Sequence, residues 1–215
     1  MVAELSRRAS DTWSVLRISG ERKARDRTLV MISLRPATSG DEYGVAGVHV
    51  RSWQEGYRGL MADDVLNGLQ PEDRAARYTF GSTDVTLPQT VVAVEGDVIV
   101  GFATFGVSRD SDDPETGEIF ALYVDPDHWG QGVGLMLISE ARSSLNESSL
   151  TTAQLWVLNG NLRAIRFYER DGWFADGFIR EDVVWGITVT ESRYRRSLTQ
   201  CVPKSSSANE ESQKH

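Results

Sequence analysis

The amino-acid sequence predicts a single domain of the α/β class, in which a sheet packs against helices. Residues 90–106 contain two runs rich in β-branched residues around the turn residues 95–97, a pattern typical of a β-hairpin. The runs 118–124 and 154–158 are almost continuously apolar, as expected for central strands buried on both faces, and a helical pattern follows each. A length of 215 residues with 40% hydrophobic residues is sufficient for one domain with a sizeable core.

The first part of this domain is predicted to contain one strand followed by helices. LVMISL (29–34) has the composition of a strand. Residues 41–57 carry apolar side chains at helical spacing, with Ser39 as a candidate cap. Residues 62–80 fit one or two short helices, with Pro71 in a first turn, where its missing N–H is tolerated.

The second part is predicted to alternate between strands and helices. Residues 108–117 are polar and form a loop, and residues 131–145 form a helix. A further helix runs from Asn161, which can cap its start, to about residue 171, and Gly172 can supply the left-handed residue past its end. A last strand, 187–198, closes the domain.

Both ends of the chain differ in composition from the middle. Residues 1–28 are polar and arginine-rich, and we expect a flexible N-terminal arm. One alternative is a basic arm that binds a partner, and the other is an extension ahead of a translation start at Met31. Residues 199–215 form a low-complexity polar segment that buries too little apolar surface to offset the entropy lost on ordering, so we expect a disordered tail. The folded domain is therefore predicted to span residues 29–198.

Charge and composition limit the classes of partner. The net charge of −8 argues against nucleic acid, whose binding depends on neutralising phosphates. No apolar run approaches the ~18–20 residues that a membrane span needs, and the first residues lack a secretory signal, so we expect a cytoplasmic protein with no membrane partner. Cys201 is the single cysteine, and His49, His128 and His215 have no metal-binding spacing, so no metal is expected.

Three alternating glycines between an apolar strand and a helix predict an anion site. Gly130, Gly132 and Gly134 lie in WGQGVG. Leu135 stands where a Walker A loop needs lysine. A dinucleotide fingerprint is disfavoured because the glycines are spaced G-x-G-x-G and because the next strand does not end in an acidic residue. The remaining interpretation is a helix start whose bare N–H groups surround a pyrophosphate. The alternative is a plain strand–helix turn, which three glycines would destabilise.

Two stretches of the chain resemble motifs of one enzyme superfamily. WGQGVG (129–134) resembles the Gln/Arg-x-x-Gly-x-Gly/Ala core of the acyl-CoA-binding motif of GCN5-related N-acetyltransferases (GNAT), with Trp129 in the place of Gln or Arg. Residues 161–173 resemble the downstream Asn-x-x-Ala-x-x-Phe-Tyr-x-x-x-Gly-Phe signature, with Trp173 as the last aromatic. The resemblance extends over 34–198. It implies a mixed, mostly antiparallel sheet with helices on both faces and two splayed, near-parallel central strands.

The resemblance also implies acetyl-CoA as co-substrate and assigns residues to it. Backbone groups of the strand at Leu122, Tyr123 and Val124 would pair with the pantetheine arm, and one amide there would polarise the thioester carbonyl. Asn161 would reach the same arm. The pyrophosphate would lie on the backbone of the turn, formed by Gly130, Gln131, Gly132, Val133, Gly134 and Leu135.

Two residues are candidates for acid–base chemistry. Tyr168 matches the general acid of the superfamily, and a phenol with an ordinary pKa of about 10 is protonated at neutral pH. The alternative is an aromatic side chain that only packs on the apolar side of its helix. Glu118 begins the central strand and is our candidate general base; the alternative is a solvated charge at a strand end. Weaker candidates for the base are Asp113, Glu115, Glu181 and Asp182.

The acceptor side and the overall activity follow from the same resemblance. Trp53 and Tyr57 fall where the superfamily builds its acceptor wall; the alternative is that they pack the first helix against the sheet. Arg163, Arg166 and Arg170 form a stripe that faces either the phosphates or solvent.

We therefore predict transfer of an acetyl group to the amine of a small molecule by direct attack in a ternary complex. A protein lysine or N-terminal acetyltransferase and a non-catalytic CoA-binding regulatory module are the alternatives. A homodimer is compatible with the resemblance.

Overall fold

The computed structural model describes residues 15–16, 31–82, 84, 86–109, 113–184 and 186–199, which form one mixed α/β layer structure. A 3₁₀ turn at Pro126–His128 precedes the fourth helix. The strands are β1 Val15–Leu16, β2 Ile32–Pro36, β3 Gln89–Glu95, β4 Val98–Val107, β5 Thr116–Val124, β6 Thr152–Leu158, β7 Phe174–Val184 and β8 Ile187–Ser197. The helices are α1 Glu42–Gly56, α2 Asp63–Gly68, α3 Pro71–Ala75, α4 Val133–Glu147 and α5 Leu162–Arg170.

The sheet has the predicted mixed topology. Its strand order is β1-β2-β3-β4-β5-β6-β8-β7. Every neighbouring pair is antiparallel except β5 and β6, which run parallel. The parallel pair lies inside the sheet, where both faces are covered, as its apolar sequence requires. The predicted fold class is therefore confirmed.

Helices cover both faces of the sheet, and each face carries an apolar cluster. On one face, α4 buries Leu137, Ile138, Ala141 and Leu145, which recur at the helical period, together with Leu155 of β6. On the other face, α1 contributes Val45 and Val48 to a second cluster that contains Val92 and Phe102. Burial on two sides holds the central strands rigidly, which is what a site built at their edges needs.

Most of the predicted elements are present, with shifts at their ends. The hairpin forms as β3 and β4 with Gly96 in the left-handed region, φ 62°. Pro71 begins α3 as expected. The first helix begins at Glu42 after Asp41 rather than after a Ser39 cap, and Gly40 N–H instead bonds the Glu42 carboxylate at 2.7 Å.

The strand β7 was not predicted. Its residues are exposed along most of its length: Phe178 is 60%, Ile179 64% and Val183 65% exposed. Because neither face of β7 is buried, the sequence lacks the alternation by which strands are predicted. The predicted arm and tail lie outside the described residues, except for Val15–Leu16 and Thr199.

A bidentate ion pair links β2 to the start of α1. Arg35 Nη1 and Nη2 donate to the two oxygens of the Asp41 carboxylate at 2.6 and 2.8 Å, and Thr38 N–H donates at 2.7 Å. The Arg35 hydrogen bond is the main cause that lowers the pKa of Asp41 from 3.8 to about 2, against the opposing effect of burial. A carboxyl whose pKa is lower in the folded state stabilises the fold above its unfolded pKa and loses this contribution as the pH falls.

We expect Asp41→Asn to lower the free energy of unfolding by about 1 kcal/mol at pH 7, because one charge-assisted pair with a partly exposed partner is lost. The difference from the parent chain should shrink as the pH falls from about 4 to about 2. Denaturant titrations at several pH values measure it. Asp63→Asn is the control, since the Asp63 side chain is 71% exposed in its pair with Arg58; a pH-independent loss in Asp41→Asn would contradict the assignment.

Candidate active site

The two parallel strands pair only at their first residues and then part. Pairing runs from Thr116–Thr152 to Ile119–Leu155 and extends no further. The parting strands enclose a cavity of about 200 Å³. Predicted site residues that line it are Glu118, Leu122, Tyr123, Asn161, Tyr168 and Tyr57. The fold therefore brings together side chains from α1, β5 and α5 that are distant in the sequence.

A bulge in β5 coincides with the point of divergence. The register against β4 shifts between the pairs Thr104–Ala121 and Phe105–Ile119, which leaves Phe120 as the extra residue of β5. Ile119 packs in the cluster with α4, whereas Ala121 packs in the cluster with α1. The alternation of side chains between the two faces is therefore broken at the bulge.

The open edge of β5 presents the backbone of Leu122 and Val124. Asp125 N–H donates to Val100 O of β4 at 2.8 Å, so by alternation the N–H and C=O groups of Leu122 and Val124 point away from β4. The Val124 carbonyl already accepts from Ser52 Oγ at 2.8 Å and Trp129 Nε1 at 2.7 Å. At Val124 only the N–H group is left for pairing with a ligand.

The glycine turn leads from β5 into α4. Gly130 and Gly132 have φ of 74° and 87°, which β-carbons disfavour, and a Cβ on Gly130 would meet open space. The first helical hydrogen bond joins Met136 N–H to Gly132 C=O at 3.1 Å. The N–H groups ahead of Met136 therefore form the unpaired start of α4, which is the arrangement predicted for an anion.

The remaining side chains of the turn are held in place. The Asp125 carboxylate accepts from Asp127 N–H at 3.1 Å and from Arg51 Nε at 2.7 Å. Gln131 Nε2 donates back to Asp127 O at 2.8 Å, so Gln131 offers its N–H rather than its side chain. Val133 is buried and Leu135 is 54% exposed.

Gly134 also has a packing role. A Cβ at this position would lie 3.3 Å from the Phe167 ring, so the missing side chain allows α4 and α5 to approach closely. The glycine turn and the packing of α4 against α5 thus share one residue.

Asn161 lies at the start of α5, where β6 and α5 meet. Its side chain caps the helix by accepting from Ala164 N–H at 3.1 Å, as predicted. It is 7% exposed and lines the cavity together with Tyr57. One side chain therefore serves both the helix and the cavity.

Three phenols meet in the cavity. Burial raises the pKa of Tyr57 to about 12, and burial also raises the pKa values of Tyr123 and Tyr168. Tyr168 is 9% exposed and its ring meets Trp173 edge-on, with centroids 6.2 Å apart. Tyr123 stacks on His49 of α1 at 4.3 Å, so its part in ligand binding would come from the backbone. All three phenols are therefore protonated at neutral pH.

Glu118 is not a solvated strand-end charge. The residue is 5% exposed. Its Oε2 accepts from Ser108 Oγ at 2.9 Å and from Gln154 Nε2 at 3.2 Å. These bonds hold one carboxylate oxygen in place at the wall of the cavity. Asp113, Glu115, Glu181 and Asp182 do not line the cavity.

Sequence reasoning missed a second carboxylate in the cavity, Glu191 of β8. Its Oε2 accepts from Arg180 Nε and Nη2, both at 2.9 Å, while burial raises the pKa of Glu191. The Arg180 guanidinium lies over the Trp156 ring at 4.2 Å. Glu191 belongs to an unremarkable polar strand pattern, so no local signal could have found it.

The two aromatic residues of the predicted acceptor wall have different positions. Tyr57 lines the cavity. Trp53 is 5% exposed, packs in a cluster with Leu66 and Leu69, and stacks behind Tyr57 with ring centroids 4.4 Å apart. Trp53 therefore supports Tyr57 and does not line the cavity itself.

All three stripe arginines are exposed on α5, and of the three Arg163 lines the cavity, whereas Arg166 and Arg170 do not. The Arg163 guanidinium stacks on the Trp129 indole, 3.2 Å from its centroid. In the described part of the chain, no cluster of three or more His, Cys, Asp or Glu residues could hold a metal ion. Every described helix is too short or too polar to cross a bilayer.

Comparison with known proteins agrees with this geometry. Among curated sequences, the uncharacterized N-acetyltransferase YuaI of Bacillus subtilis is 28% identical over 139 residues, 65% of this chain and 78% of that protein. A mycothiol acetyltransferase of Rhodococcus erythropolis is 35% identical over 78 residues, but the match spans only 26% of its length.

Solved structures share the fold. The PaiA N-acetyltransferase of Thermoplasma acidophilum, in complex with coenzyme A, matches 77% of this chain and 98% of its own, with a TM-score of 0.59 and 17% identity. YncA of Salmonella typhimurium, described as a putative acetyltransferase with its cofactor acetyl-CoA, matches 81% and 98%, with a TM-score of 0.55 and 20% identity. Residues 51–173 match the model of the acetyltransferase (GNAT) family, which includes β5, the glycine turn and α5. The chain therefore belongs to the GNAT family of acetyltransferases.

Proposed function

We propose that this protein transfers the acetyl group of acetyl-CoA to a primary amine of a small molecule, by direct attack within a ternary complex. The observation that carries the proposal is the cavity between β5 and β6. It brings the Glu118 carboxylate and the Tyr168 phenol to the open backbone edge at Leu122. A carboxylate, a phenol and free amide donors are the three groups that acyl transfer to an amine requires.

The residues present fit the cofactor. The unpaired N–H groups at the start of α4 and the left-handed Gly130 and Gly132 form a cradle suited to a diphosphate. Leu122 lines the cavity, and Val124 ends β5 ahead of the glycine turn, so the open edge of β5 joins the two. When bound, acetyl-CoA supplies an activated acyl group as a thioester. The relatives solved with coenzyme A or acetyl-CoA support this choice of cofactor.

Glu118, which lines the cavity, would accept the proton of the attacking amine, directly or through a water molecule. One of its oxygens is bound to Ser108 and Gln154, so the carboxylate is held in position. Glu191 adds a second carboxylate to the cavity wall. Arg163 and Arg180 line the same cavity and Arg180 pairs with Glu191, so Glu118 is the carboxylate that is left to receive the proton of an amine.

The backbone of β5 would stabilise the negative charge that develops on the carbonyl oxygen. Leu122 and Val124 present N–H groups along the open edge, and backbone amides cost no reorganisation when the charge appears. The Val124 carbonyl accepts two hydrogen bonds, from Ser52 and Trp129, and these hold this part of the strand in place.

Tyr168 would stabilise the departing sulfur. Its pKa is raised by burial above the ordinary value of 10, whereas a thiol has an ordinary pKa of about 8.5. Complete proton transfer from this phenol to the thiolate is therefore disfavoured. We infer that Tyr168 acts as a hydrogen-bond donor to the sulfur while charge develops.

A panel of acceptors tests the proposal. Thiol release from acetyl-CoA is measured with diamines, amino acids and aminoglycosides, and with peptides that carry a free lysine or N-terminus. We expect turnover with at least one small amine and a new amide in its mass spectrum. Turnover of peptides alone would point to protein acetylation, and CoA binding without transfer to any acceptor would indicate a regulatory module.

A further inference from the structure

Trp129 departs from the family motif, and its environment explains how the chain tolerates this. The motif has Gln or Arg at this position, which places a polar side chain beside the phosphates. Here the indole turns back instead, and its Nε1 donates to Val124 O at 2.7 Å. The ring consequently lies against the end of β5, directly before Gly130. The polar group of the motif is therefore missing from position 129.

A cation from another element lies on this ring. The Arg163 guanidinium is 3.2 Å from the centroid of Trp129, a cation–π contact that favours one orientation of a long side chain. Gly56 at the end of α1 leaves room for it, since a Cβ there would lie 2.8 Å from Nη2. Side chains from α5 and the turn, together with the end of α1, thus hold one guanidinium in place.

This guanidinium has no carboxylate partner among the described residues. Seven other described arginines form ion pairs: Arg35, Arg51, Arg58, Arg142, Arg180, Arg193 and Arg196. Partial burial lowers the pKa of Arg163, and the nearby groups of Tyr57 and Glu55 oppose this shift without forming an ion pair with the guanidinium. In a chain of net charge −8, such an arginine is available for an anion.

The position of Arg163 identifies that anion. The residue lines the cavity together with Leu122 and Asn161 and also touches Trp129, the last residue before the glycine turn. A ligand that extends from the cavity to the turn must pass this guanidinium. Its planar set of N–H donors matches phosphate oxygens in pairs.

We propose that Arg163, held on Trp129, binds the pyrophosphate of coenzyme A and replaces the side chain that the family motif provides at position 129. This inference rests on the proposed function, because it assumes that the cofactor occupies the cavity and the turn. Trp129 acts as a positioning residue, since it orders the guanidinium without contacting the phosphates itself.

The test compares Arg163→Gln with Arg166→Gln, an exposed arginine on the same helix and a matched control. Calorimetry measures the Kd of coenzyme A and, by displacement, of pantetheine, which has the same arm without phosphates. We expect Arg163→Gln to weaken coenzyme A binding about 10- to 50-fold, as for a lost charge-assisted hydrogen bond, and pantetheine binding less than about twofold. Added salt should weaken coenzyme A binding to the parent chain more than to Arg163→Gln.

Each other outcome has a separate meaning. If the parent chain does not bind coenzyme A, the proposed function fails. If the parent chain binds but Arg163→Gln and Arg166→Gln are alike, the inference is overturned while the proposed function stands. Equal losses for coenzyme A and pantetheine would also overturn it, because they would indicate a collapsed cavity rather than a lost phosphate contact. Thermal unfolding of both variants checks that they fold alike.

Discussion

Replacing Glu118 by Gln is expected to lower kcat for amine acetylation by about 10²- to 10³-fold, the range typical of a lost general base. The amide has the same shape and can still bond Ser108, so the fold should be kept. It cannot accept a proton from the amine. Initial rates at saturating acetyl-CoA measure the effect, and the Kd of coenzyme A should stay within about twofold, because no phosphate contact changes.

The matched control is Glu115→Gln, three residues earlier. Glu115 is exposed and bonds Thr151 Oγ1 at 3.0 Å, away from the cavity. Its replacement should leave kcat unchanged. If Glu118→Gln retains most of the rate and Glu191→Gln loses it, the base is Glu191 and our assignment is wrong.

Tyr168→Phe is expected to lower kcat about 10²-fold, at the lower end of the range for general acids, because the phenol only donates a hydrogen bond to the sulfur. The raised pKa fixes the direction of the pH dependence. A phenol with a pKa above 10 remains protonated through neutral and mildly alkaline pH, so its ionisation should not reduce the rate of the parent enzyme between about pH 8 and 10. Initial rates of the parent enzyme and of Tyr168→Phe, measured across that pH range, test both the loss of kcat and the absence of a phenol ionisation.

Tyr194→Phe is the control for the loss of a buried phenol. Tyr194 of β8 is 6% exposed, packs in the same apolar cluster and does not line the cavity. A large fall in kcat for Tyr168→Phe with no change for Tyr194→Phe supports the assigned role. Full activity in Tyr168→Phe would remove Tyr168 from the mechanism and leave it as a packing residue.

Local chemistry explains which parts of the molecule could be predicted. The Asn161 cap, the left-handed Gly172 and the glycine turn each depend on properties of a few adjacent residues, so they are visible in the sequence. The central strands are visible because burial on two faces demands continuous apolar runs. The family motifs then order these elements into a sheet.

Tertiary contacts explain what could not be predicted. Glu191 reaches the cavity only because β8 pairs with β6, and nothing near it in the sequence marks that neighbour. Trp53 and Tyr57 are both aromatic and four residues apart, yet one lies behind the other. The stack of Arg163 on Trp129 joins positions 34 residues apart through the packing of α5 against the turn. Each of these depends on distances that only the folded chain defines.

The extra residue at Phe120 has a consequence for how the chemistry could have arisen. Glu118 and Leu122 are four positions apart, and in a regular strand their side chains would project to the same side. The one extra residue of the bulge places these two side chains on opposite sides of β5 and turns β5 away from its parallel neighbour β6. Removing that unit would restore an unbroken ladder of hydrogen bonds and close the opening. The capacity for acetyl transfer would then depend on one extra residue, the bulge at Phe120, in an otherwise regular strand.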